Sequence, residues 1–265
     1  MKWLLIIVVF SLLLYGQDCR ALSITAHSHL KEHISALDKT HLNENNAGEV
    51  KSLVESDLLP EHFLQGNSSA YANSEGLLSV SAYGFCDNND GEITFLKSYS
   101  TWSETYLNDS PDKSYNFNYN ISDIIMESKF YCSPTQTQYE IGVLLNGNSI
   151  FQESYLLDTT DQFNEYIDAI DQNLNPPLNY SLFSKNETHG EIDLGTFGIN
   201  EYFEVSYYIS AFARPIDLAE CSVTLSMQGN VTADVSPVPE PASFVLLAIG
   251  IAGFFGKNRR LMKIY

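Results

Sequence analysis

Chemistry in this chain would have to come from its carboxylates, histidines and cysteines. Five of the six histidines, His27, His29, His33, His41 and His62, crowd into the first quarter of the sequence. If that stretch is helical, His29 and His33 stand one turn apart, as two metal ligands on a helix can. A solvated helix face explains them better. Asp158, Asp161, Glu165, Asp168 and Asp171 recur at spacings of three and four, which makes an acidic stripe on a helix near 159–172, again a solvated face. The run from Cys86 to Glu92 (CDNNDGE) has the carboxylates and the glycine of a calcium loop. Counted from Asp87, however, Gly91 falls at the fifth position where an EF-hand needs its glycine sixth, and a hairpin turn fits better. No metal site is therefore expected.

Nucleophile elbows, Walker loops, dinucleotide fingerprints and paired-cysteine zinc motifs are all missing from the sequence, so neither an enzyme nor a cofactor is expected. An acid-rich chain always offers carboxylate pairs, and an extracellular hydrolase stays open as the weakest of three readings. With 33 acidic and 14 basic residues the formal charge is −19, which opposes contact with nucleic acid or an anionic membrane.

The positive charge sits at the ends. Lys2 precedes the apolar run Leu4 to Leu14, and Cys19-Arg20-Ala21 supplies small residues at the −3 and −1 positions. That is a secretory signal peptide over 1–21, implying a Sec translocon and signal peptidase as partners and cleavage after Ala21. At the other end, Pro239 and Pro241 precede an apolar stretch in which a helix can run over 242–256. Fifteen residues reach about 22 Å, short of the roughly 30 Å hydrocarbon core, so Lys257, Arg259 and Arg260 have to snorkel or the bilayer thin. Basic residues straight after the apolar run hold the C-terminus in the cytoplasm and the body outside. Ala248, Ala252 and Gly256 form a small-residue stripe able to pack against a partner helix.

Val238, Pro239, Glu240, Pro241, Ala242 and Ser243, then the short apolar helix, then Lys257-Asn258-Arg259-Arg260, resemble the PEP-CTERM sorting signal of Gram-negative bacteria. The resemblance covers about the last thirty residues, 237–265. It implies recognition of the Pro239-Glu240-Pro241 motif by exosortase, a membrane transpeptidase-like enzyme, a transient membrane segment retained by Arg259 and Arg260, and delivery to the outer surface or exopolysaccharide matrix. The tail Leu261 to Tyr265 is longer than the family usually carries.

Between the signals lies the passenger, with 8 basic against 31 acidic residues, −23 in formal charge. Its first part, 22–70, is expected to be helical: Leu30, Ile34 and Leu37, then Val50, Leu53, Val54 and Leu58, repeat at three and four. Over 71–236 the period becomes two, most clearly in Phe203, Val205, Tyr207, Ile209 and Ala211 against Glu204, Ser206, Tyr208 and Ser210. Asn146-Gly147 between two apolar runs signals a hairpin. The expected architecture is a mainly β, antiparallel, jelly-roll-like sandwich with an N-terminal helical segment and a C-terminal transmembrane helix. Export permits disulfides, and Cys86 with Cys132 is the expected pair on the premise that their strands are neighbours. The sequons at Asn67, Asn108, Asn120, Asn179, Asn186 and Asn230 are read as Asn-rich loops. The leading expectation is a structural or adhesive surface protein. The alternative is a carbohydrate-binding module contacting exopolysaccharide through exposed Tyr115, Phe117 and Tyr119, which alternate with Asn116, Asn118 and Asn120.

Overall fold

The computed structural model of the chain describes residues 22–31, 38–45, 49–55, 64–86, 95–130, 133–171, 179–216 and 218–235. Fourteen strands run in order β1 Leu22–Lys31, β2 Asp38–Asn45, β3 Glu49–Glu55, β4 Leu64–Asn73, β5 Leu77–Cys86, β6 Phe95–Leu107, β7 Lys113–Ile121, β8 Ile124–Phe130, β9 Gln136–Leu145, β10 Asn148–Asp158, β11 Tyr180–Lys185, β12 Thr188–Thr196, β13 Tyr202–Arg214 and β14 Ala219–Val235. Among the described residues one helix forms, α1 at Thr160–Asp171, where the acidic stripe places it. Asp158 starts it, accepting from the Thr160 amide at 2.9 Å.

All pairings are antiparallel. One sheet has the order β10-β9-β13-β6-β1-β2 and the other the order β11-β8-β14-β5-β4-β3, with β7 and β12 continuing it. We call them sheet A and sheet B. Within sheet B, β7 and β8 lie end to end against β14, the break bridged by the Ser122 amide bonding to the Ser226 carbonyl at 3.0 Å. β13 packs over β14 and β5, β6 over β5 and β4, and β1 over β4 and β3, so the two sheets close face to face as a sandwich.

The core changes character across the sandwich. On one side it is aromatic: Tyr207 meets Trp102 and Phe117, each at 5.2 Å between ring centres, and Phe203 stacks on Phe197 at 3.9 Å. On the other it is built of Ala26, Ala70, Ala72, Ala82 and buried serines. Those serines bond across the sheets: Ser28 to the Ser52 carbonyl at 3.1 Å, Ser68 to Lys97 at 2.6 Å, Ser98 to Ser81 at 2.9 Å and Ser100 to Ser79 at 3.2 Å. A short hydroxyl reaches an opposing backbone only where the sheets approach closely, so small residues are required there.

The expected hairpin stands as read, with Asn146 at φ 50° and Gly147 at φ 76° joining Leu145 to Asn148. The helical reading of 22–70 is corrected. β1, β3 and β4 are integral strands, their inward residues being Ile24, Ala26 and Ser28, then Val50 and Ser52, then Ser68, Ala70 and Ala72. The spacing of three and four arose because serines occupy inward positions and hide the period of two. Among the described residues, strands run from Leu22, and β4 crosses position 70. The signal peptide and the expected transmembrane helix over 242–256 lie outside the described residues, among which no helix is long and apolar enough to cross a membrane.

Candidate binding face

Strand parity decides which rings can touch a ligand. In β7 the inward positions are Tyr115, Phe117 and Ile121, with Tyr115 and Phe117 5% and 0% exposed, so the expected stacking strip is overturned. Two glycines explain why. Gly229 opposes Tyr119 on β14, and a Cβ there would come within 2.5 Å of Phe117 Cζ; Gly190 opposes Tyr119 on β12, where a Cβ would meet its hydroxyl at 2.4 Å. Both rings fill space that glycine vacates under the sheet. It is Asn116, Asn118 and Asn120 that point outward, donating to Asp234 at 3.1 Å, Thr232 at 2.8 Å and Glu187 at 2.7 Å.

The outward rings are on sheet A. Along β13, Ile209, Ala211 and Ala213 are inward and leave Tyr208 and Phe212 on the opposite face; along β6, Leu96, Ser98 and Ser100 leave Phe95 and Tyr99 there. Tyr208 lies over Gly142, where a Cβ would come within 2.3 Å of its Cε1, so the ring rests on strand β9 and is half-buried. Its hydroxyl donates to Glu140 at 2.8 Å, and Gln152 donates to the same carboxylate oxygen at 3.0 Å. Burial, followed by the Glu140 carboxylate, pushes the Tyr208 phenol up to about 12. Tyr99 sits beside it at 5.6 Å with the planes 35° apart, its own phenol raised by burial and by Glu140.

The ring row continues through β1. His27 and His29 stand opposite Tyr99 and Lys97, 6.3 Å apart, and Phe95 lies edge-on to His29 at 5.2 Å and 6.1 Å from Phe212. Burial first, then His29 and Lys97, hold the His27 imidazole below its ordinary value, so it is neutral at pH 7. Three adjacent strands, β13, β6 and β1, thus carry six rings on one half-buried surface, edged by Glu140, Gln152 and Thr101. A phenol held through its hydroxyl, with hydrogen-bonding groups at its rim, offers both an apolar ring and polar partners. The signal for it was Tyr208, an aromatic standing in the polar row of the β13 alternation.

Other expected site residues fall apart. His29 and His33 are not one turn apart, because His29 is on a strand; His33 and His62 lie outside the described residues, among which no metal-holding cluster forms. The 87–92 turn and Cys132 also lie outside them. β14 runs between β5, which ends at Cys86, and β8, so these two strands are not the neighbours that the disulfide premise required. Cys221 is a buried free thiol, pushed up by burial. Asn108 lies in the loop after β6 but is fully buried, donating to the Phe197 and Gly198 carbonyls at 2.6 and 3.2 Å. Val238, Pro239, Glu240, Pro241, Ala242, Ser243, Lys257, Arg259 and Arg260 lie outside the described residues and begin three positions after β14 ends.

By fold, then, the passenger is an all-antiparallel β-sandwich with a ring-bearing outer face. Residues 237–260 match the PEP-CTERM protein-sorting motif, so the chain carries that sorting signal, which implies export and processing by an exosortase. The match leaves the sandwich outside it. No curated protein matches the chain in sequence. Among solved structures, it is similar to TmCBM61 in complex with β-1,4-galactotriose, at 7% identity over 65% of this chain and 88% of that one, TM-score 0.22. It is also similar to the enzymatically active domain of tailspike protein 4 of bacteriophage CBA120, at 8% identity over 71% of this chain and 20% of that one, TM-score 0.16. At these scores neither likeness bears on what the sandwich binds.

Proposed function

We propose that this is a non-enzymatic adhesive protein of the cell surface or extracellular matrix, and that its sandwich holds exopolysaccharide on the outward ring face of sheet A. The observation that carries the reading is Tyr208, seated over Gly142 and fixed through its hydroxyl to Glu140, with Tyr99 beside it. Rings ordered in advance cost little entropy when a ligand docks. A row of half-exposed rings on a chain this acidic is a surface with a partner. Neutral sugars suit it, because the chain's net charge of −19 repels polyanions.

Affinity electrophoresis of the full chain in gels containing neutral glucan, mannan or galactan tests this. Retardation is expected in at least one, and the Tyr99→Ala/Tyr208→Ala variant should weaken the association by roughly tenfold, or about 1.4 kcal/mol. Unchanged retardation of that variant sinks the assignment. Delivery is tested separately by replacing Pro239, Glu240 and Pro241 with alanine and fractionating cells. The altered chain should stay in the membrane fraction at full length; a shortened form in the medium would refute the sorting role.

A further inference from the structure

The outward face of sheet B has its own hollow, of about 430 Å3, lined by Glu75, Asn118, Tyr119, Asn120, Gln228 and Asn230. Its size falls within the range of roughly 300–1,000 Å3 for small-molecule sites, but its walls are polar where such sites are mostly apolar. Four side-chain amides make its floor as two cross-strand pairs, Asn118 opposite Asn230 and Asn120 opposite Gln228. Neighbours lie about 5 Å apart across the strands and about 7 Å apart along them.

Two of these amides are oriented. The nitrogen of Asn118 donates to Thr232 at 2.8 Å and that of Asn120 to Glu187 at 2.7 Å, so each presents its oxygen as an acceptor. An amide pairs equally well with either side of a hydroxyl group, and a grid of amides matches a ligand that carries hydroxyls at every few ångströms. Glu75 lines the hollow, Glu191 stands opposite Asn118 and Glu187 accepts from Asn120, and these carboxylates turn away uronates and sulfated polymers. The chemistry selected is a neutral saccharide.

We infer that this hollow is a second polysaccharide site and that the protein is a bivalent cross-linker. The inference rests on the adhesive reading of the sheet A face and adds the opposite face to it. Outer surfaces of the two sheets look in opposite directions, so one stretch of polymer cannot lie on both. Each molecule joins two polymer strands, and the network gains avidity that neither site has alone.

The test is turbidity of a high-molecular-weight neutral polysaccharide that retards the full chain, mixed with the wild type, with Asn118→Ala/Asn230→Ala, with Gln228→Ala/Asn230→Ala or with Tyr99→Ala/Tyr208→Ala. Native circular dichroism qualifies each variant. The wild type should raise turbidity with an optimum in protein-to-polymer ratio, falling at excess of either component. The hollow variants should remain retarded in the affinity gel yet raise none. Hollow variants that cross-link like the wild type overturn the second site, as does a wild type that is retarded without cross-linking. A wild type that no neutral polymer retards refutes the adhesive reading itself, a result distinct from either.

Discussion

The inside-out placement of β7 can be tested by a double-mutant cycle whose terms follow from two residues. Phe117 is fully buried, 5.2 Å from Tyr207, and Gly229 beneath it leaves no room for a methyl group: the Cβ would stand 2.5 Å from Phe117 Cζ and 3.0 Å from Tyr207 Cε1. Phe117→Ala should cost about 3–5 kcal/mol, as ring deletions in cores do. For a domain of this size that lowers Tm by roughly 6–20 °C. Gly229→Ala should cost about 1–3 kcal/mol by overpacking. With the ring gone, the new methyl group occupies space the ring left, so the double variant should be no less stable than Phe117→Ala alone. The coupling is then about 1–3 kcal/mol in favour of the pair. Asn118→Ala, one residue away and outward, should stay within about 0.5 kcal/mol. Urea unfolding of the full chain in mild detergent, followed by circular dichroism and by Trp fluorescence, measures all four. Additive costs, or an Asn118 variant as damaged as the Phe117 one, would refute the facing of β7.

Three further outcomes follow from buried and strained groups. Gly147→Ala has open space for its methyl group, so its cost of about 1–2 kcal/mol is backbone strain at φ 76° alone, and Gly147→Asn should lose less than half of that in the same assay. Tyr207→Phe, which removes the hydroxyl that donates to the Gly76 carbonyl, should cost about 1 kcal/mol. Stability should fall at alkaline pH. Burial raises Cys221, Tyr139, Tyr207 and Tyr208 in the folded state, while the unfolded thiol and phenols lose protons near pH 8.5 and 10, so these groups stabilise fully below about pH 8 and lose their contribution as pH climbs. A urea midpoint unchanged from pH 7 to 10.5 would contradict this, as would alkylation of native Cys221 at pH 8.

What the sequence discloses depends on whether a pattern is local. The Asn146-Gly147 hairpin, α1 and the alternation of Phe203 to Ala211 are read correctly because turn chemistry and periodicity act within a few residues. The first strands are misread because their inward positions are filled by Ser28, Ser52 and Ser68. Ser28 and Ser68 are acceptable there because a carbonyl on the other sheet receives each hydroxyl, a fact of tertiary structure. The ring faces fail for a related reason. Alternation puts Tyr115 and Phe117 on the same side of β7 but does not say which side is inward, and that is decided by Gly229 and Tyr207, about 90 or more residues away in the chain. Tyr208 is visible as an aromatic in a polar row; the Gly142 that makes room for it is not.

Strand β14 has a mechanical consequence. It lies inside sheet B, bonded to β5 along one edge and to β8 and β7 along the other, it carries Gln228 and Asn230 of the amide floor, and it runs straight toward the sorting motif at 237. Tension between a bound polymer and a C-terminal attachment would run along this strand. It would shear two ladders of hydrogen bonds at once, where an edge strand would unzip one bond at a time.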